Sequence, residues 1–142
     1  MIDVFGFREP EEMNKVGTIS IRLRRYSAQS HERIKEMITV NLYYKGVNGS
    51  ARAFAEEMES SGIADAIRAE KGNLRYQYFQ PLDDPETVLL IDSWRNQSDI
   101  DAHHASPMMA QLAALREKYD LHMTAERYVS EALGENEQFI RK

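Results

Sequence analysis

Four segments of the chain have the composition or the alternation of β-strands. Residues 38–45 (ITVNLYYK), 73–80 (NLRYQYFQ) and 87–94 (TVLLIDSW) are rich in β-branched, apolar and aromatic side chains, which favour a pleated sheet. Residues 121–129 (LHMTAERYV) alternate between apolar and polar positions. The loop PLDDPE between the second and third segments contains two prolines, which cannot continue a ladder, so it predicts a hairpin connection.

Two helical regions separate these strands. Residues 50–70 place apolar side chains four residues apart, and Gly62 is expected to break or bend this helix. After the third strand, we expect Ser98 to cap a short helix and the step Ser106-Pro107 to begin another. The order β-α-β-β-α-β predicts a ferredoxin-like α+β fold, with an antiparallel sheet, the first and third strands at its centre, and both helical regions on one face.

The third strand predicts how the chain associates. A strand with one wet face alternates apolar and polar residues, but Val88 and Leu90 point one way while Leu89 and Ile91 point the other. Both faces of the central sheet are therefore expected to be dry. One chain of this length has no second layer of helices for the open face, so we expect a homodimer with sheets packed face to face.

The chain divides into one domain and two flanking segments. Residues 37–130 hold the ferredoxin-like domain, and residues 131–142 form a polar C-terminal tail. Residues 1–36 are an N-terminal extension, in which residues 18–26 (TISIRLRRY) alternate cleanly and predict an extra strand.

Composition and charge narrow the range of partners. The chain is 42% hydrophobic and 29% charged, which is ordinary for a globular protein. Cysteine is absent, which excludes disulfides and thiolate chemistry, and the N-terminus lacks a basic and apolar leader, so we expect a cytoplasmic protein with no membrane partner. Residues 37–142 hold eleven Lys/Arg and seventeen Asp/Glu. Such an acidic body repels phosphate backbones, so nucleic acid is not an expected partner.

Residues 92–109 (DSWRNQSDIDAHHASPMM) contain the only Trp, two adjacent histidines and a Ser-Pro step. With the strand that ends in IDSW and the helical segment after the Ser-Pro step, they make residues 38–130 resemble the antibiotic biosynthesis monooxygenase family. These are small dimeric α+β barrels that include quinol monooxygenases. The family's acidic residue two before the Trp and its His-x-x-Ser-Pro segment correspond here to Asp92, Trp94, His103, Ser106 and Pro107.

Two positions depart from the family's usual pattern. Asp92 is shorter than the usual Glu, and Met108 stands where a second His commonly follows the Pro, so no two-histidine role is implied. Asp92 either orients a hydrogen-bond donor or pairs with Arg95 or Arg75. Because relatives oxidise quinols, degrade haem or isomerise a phosphorylated signal, the resemblance implies the fold more specifically than the reaction.

Other site chemistries have weak support in the sequence. His103 and His104 are adjacent, so on a helix they point about 100° apart and cannot easily grip one metal ion, and no metal site is expected. The chain has no G-x-S-x-G elbow, no glycine-rich phosphate loop and no dinucleotide fingerprint. We therefore expect no cofactor.

The resemblance implies an aromatic pocket for a small aromatic substrate. In it, His103 would be the catalytic base, Asn41 would hydrogen-bond the substrate oxyanion, and Trp94 would wall the ring. The other candidate substrate-binding residues are Tyr43, Tyr76, Tyr78, Tyr128 and Met108. The alternative is that these aromatic side chains serve only as packing in the core and the dimer interface, that Asn41 is a hydrogen-bonded core amide, and that His103 is a helix-surface residue.

The leading functional prediction is a cofactor-independent monooxygenase that oxidises a quinol-like aromatic molecule. An isomerase of a small phosphorylated carbonyl compound remains open, although it would want a basic pocket. A non-catalytic ligand-binding or stress-related dimeric barrel also remains open. A haem-degrading enzyme ranks low, because the last helical segment, MAQLAALREKY, contains no histidine to bind iron.

Overall fold

The structure is a computed structural model, and it describes residues 36–142. The predicted strand at residues 18–26, like almost all of the N-terminal extension, lies outside the described residues.

A single antiparallel sheet of four strands forms the frame of the domain. The strands are β1 (Ile38–Lys45), β2 (Asn73–Phe79), β3 (Thr87–Trp94) and β4 (His122–Val129). Their order in the sheet is β2-β3-β1-β4, so the first and third strands are central. The predicted ferredoxin-like α+β fold is confirmed, and the strand bounds agree with the sequence patterns to within one residue.

The helices form in two pairs. The first pair is α1 (Ser50–Ser60) and α2 (Ile63–Arg68), the second is α3 (Gln97–His104) and α4 (Met108–Lys118), and a 3-10 helix (Gly134–Phe139) follows β4. Gly62 separates α1 from α2 with a φ of 82°, a left-handed conformation that favours glycine. The predicted break at Gly62 is thus confirmed. Within residues 36–142, no helix is long and apolar enough to cross a membrane.

The cap of α3 differs from the prediction. The side chain of Asn96, not of Ser98, accepts a hydrogen bond from the backbone N–H of Asp99 at 2.9 Å. Asn96 has extended backbone angles, as a capping residue requires, whereas Ser98 already lies inside the helix. The sequence offered two good capping residues two positions apart, and the chain begins its helix at the earlier one.

The two faces of the sheet have different environments. The helices cover the face that carries Ile38, Tyr44, Leu90 and Trp94, and these side chains belong to the main core cluster. The register of β1 and β3 then fixes the other face, where Asn41 lies opposite Ile91 and Tyr43 lies opposite Leu89. In this single chain, Leu89 and Ile91 are only half-buried. The predicted homodimer, which would cover them, stays a prediction.

Candidate functional site

Trp94 and His103 are buried against each other on the helix-covered face. Trp94 ends β3, the chain turns at Arg95 and Asn96, and α3 then carries His103 back over the sheet. The two ring centroids lie 4.9 Å apart with an interplanar angle of 33°. Their exposed fractions are 1% for Trp94 and 4% for His103. The alternative that His103 lies on the helix surface is therefore wrong.

Glu70 is the hydrogen-bond partner of His103. Its Oε2 lies 2.9 Å from Nδ1 of His103, and the two residues are 33 positions apart in the chain. Glu70 belongs to the turn between α2 and β2, so the contact depends on tertiary packing of this turn against α3. No local pattern in the sequence indicated Glu70, because it lies within a short polar segment, AEKGN.

Asp92 is a third buried polar residue of this group. It lies two residues before Trp94 on the same face of β3, with an exposed fraction of 7%. Burial raises the pKa of Asp92 to about 6, although contacts with Trp94 and Asn73 and the charge of His103 favour the ionised form. Asn73 Nδ2 donates a hydrogen bond to Asp92 Oδ1 at 3.3 Å. Burial therefore favours the protonated, uncharged form of this carboxyl group.

The arginines proposed as partners of Asp92 make other contacts. Arg95 pairs with Asp99 at 2.9 Å, and Nε of Arg75 donates a hydrogen bond to Gln77 at 3.2 Å. The alternative that Asp92 pairs with Arg95 or Arg75 is therefore wrong. Since β-strand side chains alternate between faces, Ser93 and its neighbour Arg75 lie on the face opposite to Asp92.

Tyrosines extend the buried group along the sheet. Tyr76 lies directly opposite Asp92 in the pairing of β2 with β3. Its hydroxyl lies 3.2 Å from that of Tyr78, and burial raises the pKa of both tyrosines. Tyr44, which the sequence did not single out, is fully buried, and Nη2 of Arg116 donates a hydrogen bond to its hydroxyl at 3.3 Å.

Two further predicted residues border this group. Met108 packs, partly buried, against the same core cluster. Tyr78 also lines a surface groove of about 880 Å³ between α1 and β2. Tyr78 therefore has one side in contact with the core and another on this groove.

Three of the predicted site residues lie on the opposite face of the sheet. Asn41 pairs with Ile91, Tyr43 pairs with Leu89, and Tyr128 pairs with Thr39. The expectation that Asn41, Trp94 and His103 line one cavity is wrong, because Trp94 is paired with Ile38. Ile38 is three residues from Asn41, and an odd separation along a strand reverses the face.

The open face has polar groups of its own. Among the described residues, Oδ1 of Asn41 is buried without a hydrogen-bond partner. The charge of Glu126 raises the pKa of Tyr43, and the hydroxyl of Tyr128 donates a hydrogen bond to Glu126. Asn41 and Tyr43 therefore lie on the face of the sheet opposite to the one that the helices of residues 36–142 cover.

A metal centre is not formed by the described part of the chain. Residues 36–142 contain no group of three or more His, Asp or Glu side chains arranged to hold a metal ion. The rings of His103 and His104 are 5.6 Å apart, but His104 is exposed whereas His103 is buried. The side chains of the buried group are suited to hydrogen bonding and aromatic contact.

Comparison with solved structures identifies proteins of the same fold. One is a Deinococcus radiodurans protein provisionally named an antibiotic biosynthesis monooxygenase, with a TM-score of 0.59 and 20% identity over 67% of this chain and 93% of that one. A Bacteroides thetaiotaomicron protein of unknown function, described as a possible oxidoreductase, has a TM-score of 0.59 and 17% identity over 68% of this chain and 99% of that one. SnoaB, a cofactor-independent oxygenase from Streptomyces nogalater, has a TM-score of 0.51 and 18% identity over 68% and 92%.

Comparison at the level of sequence identifies the family. No curated protein matches the chain. The sequence profile of the antibiotic biosynthesis monooxygenases matches residues 37–115, more than half of the chain, and this match includes β1 to β3, the turn with Glu70, and both Trp94 and His103. The chain belongs to the antibiotic biosynthesis monooxygenase family.

Proposed function

We propose that this protein is a cofactor-independent monooxygenase that oxidises a quinol-like aromatic molecule at the buried group around Trp94 and His103. The observation that carries the proposal is the buried histidine, whose ring lies against Trp94 and whose Nδ1 is hydrogen-bonded to Glu70. The nearby carboxyl group of Asp92 has a raised pKa. Membership of the family supports the reaction class, and the name of SnoaB as a cofactor-independent oxygenase supports chemistry without a cofactor.

The proposed reaction needs only the substrate and dioxygen. A quinol reacts with one O₂ to give a hydroxyquinone and one water, so the substrate supplies all four electrons. His103 removes the proton from a quinol hydroxyl, and the resulting anion passes an electron to O₂ before a carbon–oxygen bond forms. When the O–O bond breaks, the second oxygen atom needs protons to leave as water, and Asp92 is suited to return one because its pKa is about 6.

The other residues of the group bind and orient the ring. Trp94 provides an aromatic surface, and the hydroxyls of Tyr76 and Tyr78 offer hydrogen bonds on the side of β2. The oxyanion role expected for Asn41 does not fit this site, because the sheet separates Asn41 from His103.

We propose that the open face, with Asn41, Tyr43 and Tyr128, packs against the same face of a second copy. Two features support this: the half-buried Leu89 and Ile91, and the amide oxygen of Asn41, which lacks a partner among the described residues. A partner subunit would cover the apolar side chains and could donate a hydrogen bond to that amide. We expect the dimer to act in the cytoplasm.

The reaction is tested by following oxygen uptake with a panel of dihydroxy aromatics, in the presence of a chelator and without added cofactor. We expect uptake of one O₂ per quinol and one atom of ¹⁸O₂ in the product. His103→Ala should lower turnover by about 10² to 10⁴-fold, the usual contribution of a general base. The adjacent and exposed His104 gives the matched control, since His104→Ala should leave turnover unchanged.

The alternatives give different results in the same experiment. An isomerase would consume substrate without consuming oxygen, and a ligand-binding barrel would quench Trp94 fluorescence without any turnover. Equal turnover in His103→Ala and the unaltered protein would contradict the role of His103 as the base.

A further inference from the structure

The turn between α2 and β2 is built rigidly around Glu70. The backbone N–H of Glu70 donates to the carbonyl of Ile67 at 3.0 Å, and the N–H of Asn73 donates to the carbonyl of Glu70 at 3.2 Å. Two side chains here reach the buried group: Glu70 of the turn contacts His103, and Asn73, the first residue of β2, contacts Asp92. This segment therefore makes hydrogen bonds to both His103 and Asp92.

The same turn is locked against the start of α3 through Gly72. Its carbonyl accepts a hydrogen bond from the backbone N–H of Arg95 at 2.8 Å, and its φ is 82°. A Cβ atom at Gly72 would lie 2.0 Å from Oδ2 of Asp99, which is itself held by Arg95. Because α3 carries both Asp99 and His103, this close contact fixes the position of Glu70 relative to His103.

The chemistry of the contact selects one form of the imidazole. An ionised carboxylate can only accept hydrogen bonds, so when Glu70 is ionised, Nδ1 of His103 carries the hydrogen in this pair. In neutral imidazole, the other nitrogen, Nε2, then has a free lone pair. A negative charge at 2.9 Å also stabilises the imidazolium that forms when Nε2 takes a proton.

We propose that Glu70 is a positioning residue that holds His103 as the Nδ1–H tautomer and leaves Nε2 to accept a proton from the substrate hydroxyl. The kinetic consequence rests on the proposed monooxygenase function, whereas the tautomer does not depend on it. The proton moves from the substrate O–H to Nε2, while the Nδ1 proton stays on His103 throughout.

The tautomer is measured by long-range ¹H–¹⁵N correlation spectra of the ¹⁵N-labelled protein at a pH where His103 is neutral. We expect the Nδ1–H pattern for His103 in the unaltered protein. Glu70→Gln places an amide there, which can donate as well as accept, so the Nε2–H pattern should become visible. Glu70→Asp, which keeps the carboxylate, should retain the Nδ1–H pattern. The exposed Glu117 of α4 provides the control, because Glu117→Gln should leave the spectrum of His103 unchanged.

Kinetics then test whether the tautomer matters. Glu70→Gln should lower kcat about 10- to 100-fold with little change in KM. This is less than the full contribution of a general base, because His103 itself is still present. Glu70→Asp should restore part of kcat. An Nε2–H pattern for His103 in the unaltered protein, or an unchanged spectrum in Glu70→Gln, would overturn the proposal. If His103 shows the expected tautomers but no quinol is oxidised, the positioning role stands and the proposed function fails.

Discussion

Replacing Asp92 by Asn should change how the stability of the protein depends on pH. Asp92 has a pKa of about 6 in the folded protein, compared with 3.8 as the reference value, and burial is the main cause. The folded state therefore binds the Asp92 proton more tightly than the unfolded state does. The stability that this proton contributes is fully present below pH 3.8 and is lost as pH rises through 6.

The magnitude follows from the two pKa values. The difference of about 2 units means that the folded protein has lost about 3 kcal/mol of stability at pH 8, relative to a pH well below 3.8. At pH 5 the loss is roughly half of that. Asp92→Asn removes the titration but keeps the shape of the side chain. Relative to the variant, the unaltered protein should therefore lose about 2 to 3 kcal/mol of stability between pH 4 and pH 8.

Urea denaturation of both proteins at several pH values measures this difference. Many other carboxylates titrate in the same range, but they are common to both proteins and cancel in the comparison. Asp101→Asn, which alters an exposed carboxylate on α3, provides the control for removing a surface charge. A constant difference between the unaltered protein and Asp92→Asn from pH 4 to pH 8 would refute the assignment of a raised pKa to Asp92.

Three further experiments have definite expected outcomes. In urea denaturation, Gly49→Ala should lower the free energy of unfolding by about 1–2 kcal/mol, because φ is 78° there although the surrounding space is open. Gly72→Ala should lower it by about 1–3 kcal/mol more, because the added Cβ atom would also collide with Asp99. If the proposed dimer forms through the open face, Leu89→Lys should give monomers in sedimentation equilibrium, whereas Leu82→Lys, in a fully exposed loop, should leave the dimer intact. Trp94→Phe should raise KM for a quinol more than it lowers kcat, and the opposite pattern would assign Trp94 a role in the chemical step.

The fold was predictable because local patterns and topology agreed. The apolar run of β3, the aromatic composition of β2 and the break at Gly62 each depend on neighbouring residues only, and each appears where the sequence indicated. The cap of α3 was misplaced because Asn96 and Ser98 are both good caps and differ by two positions. Local chemistry alone does not select between them.

The candidate site was only partly predictable, since its parts come from distant segments. Trp94 and His103 lie nine residues apart in one motif, and the structure brings their rings together. Glu70 lies in a polar turn, and only the packing of that turn against α3 gives it a role. Asn41 was wrongly predicted to lie beside Trp94 and His103. The face on which a strand residue lies relative to a neighbouring strand depends on the register of the two strands, and the polarity of Asn41 alone does not show that register.

The energetic cost of Asp92 argues that the buried group serves more than packing. A loss of about 3 kcal/mol at neutral pH is a large part of the roughly 5–15 kcal/mol that stabilises a small domain. An apolar side chain of similar volume would pack on the same face of β3 without that loss. Glu70 adds to the cost, because its Oε1 is buried without a hydrogen-bond partner among residues 36–142. Two unfavourable carboxyl groups beside one histidine are hard to explain as structural elements, whereas a site that must move protons needs groups of this kind close to an aromatic surface.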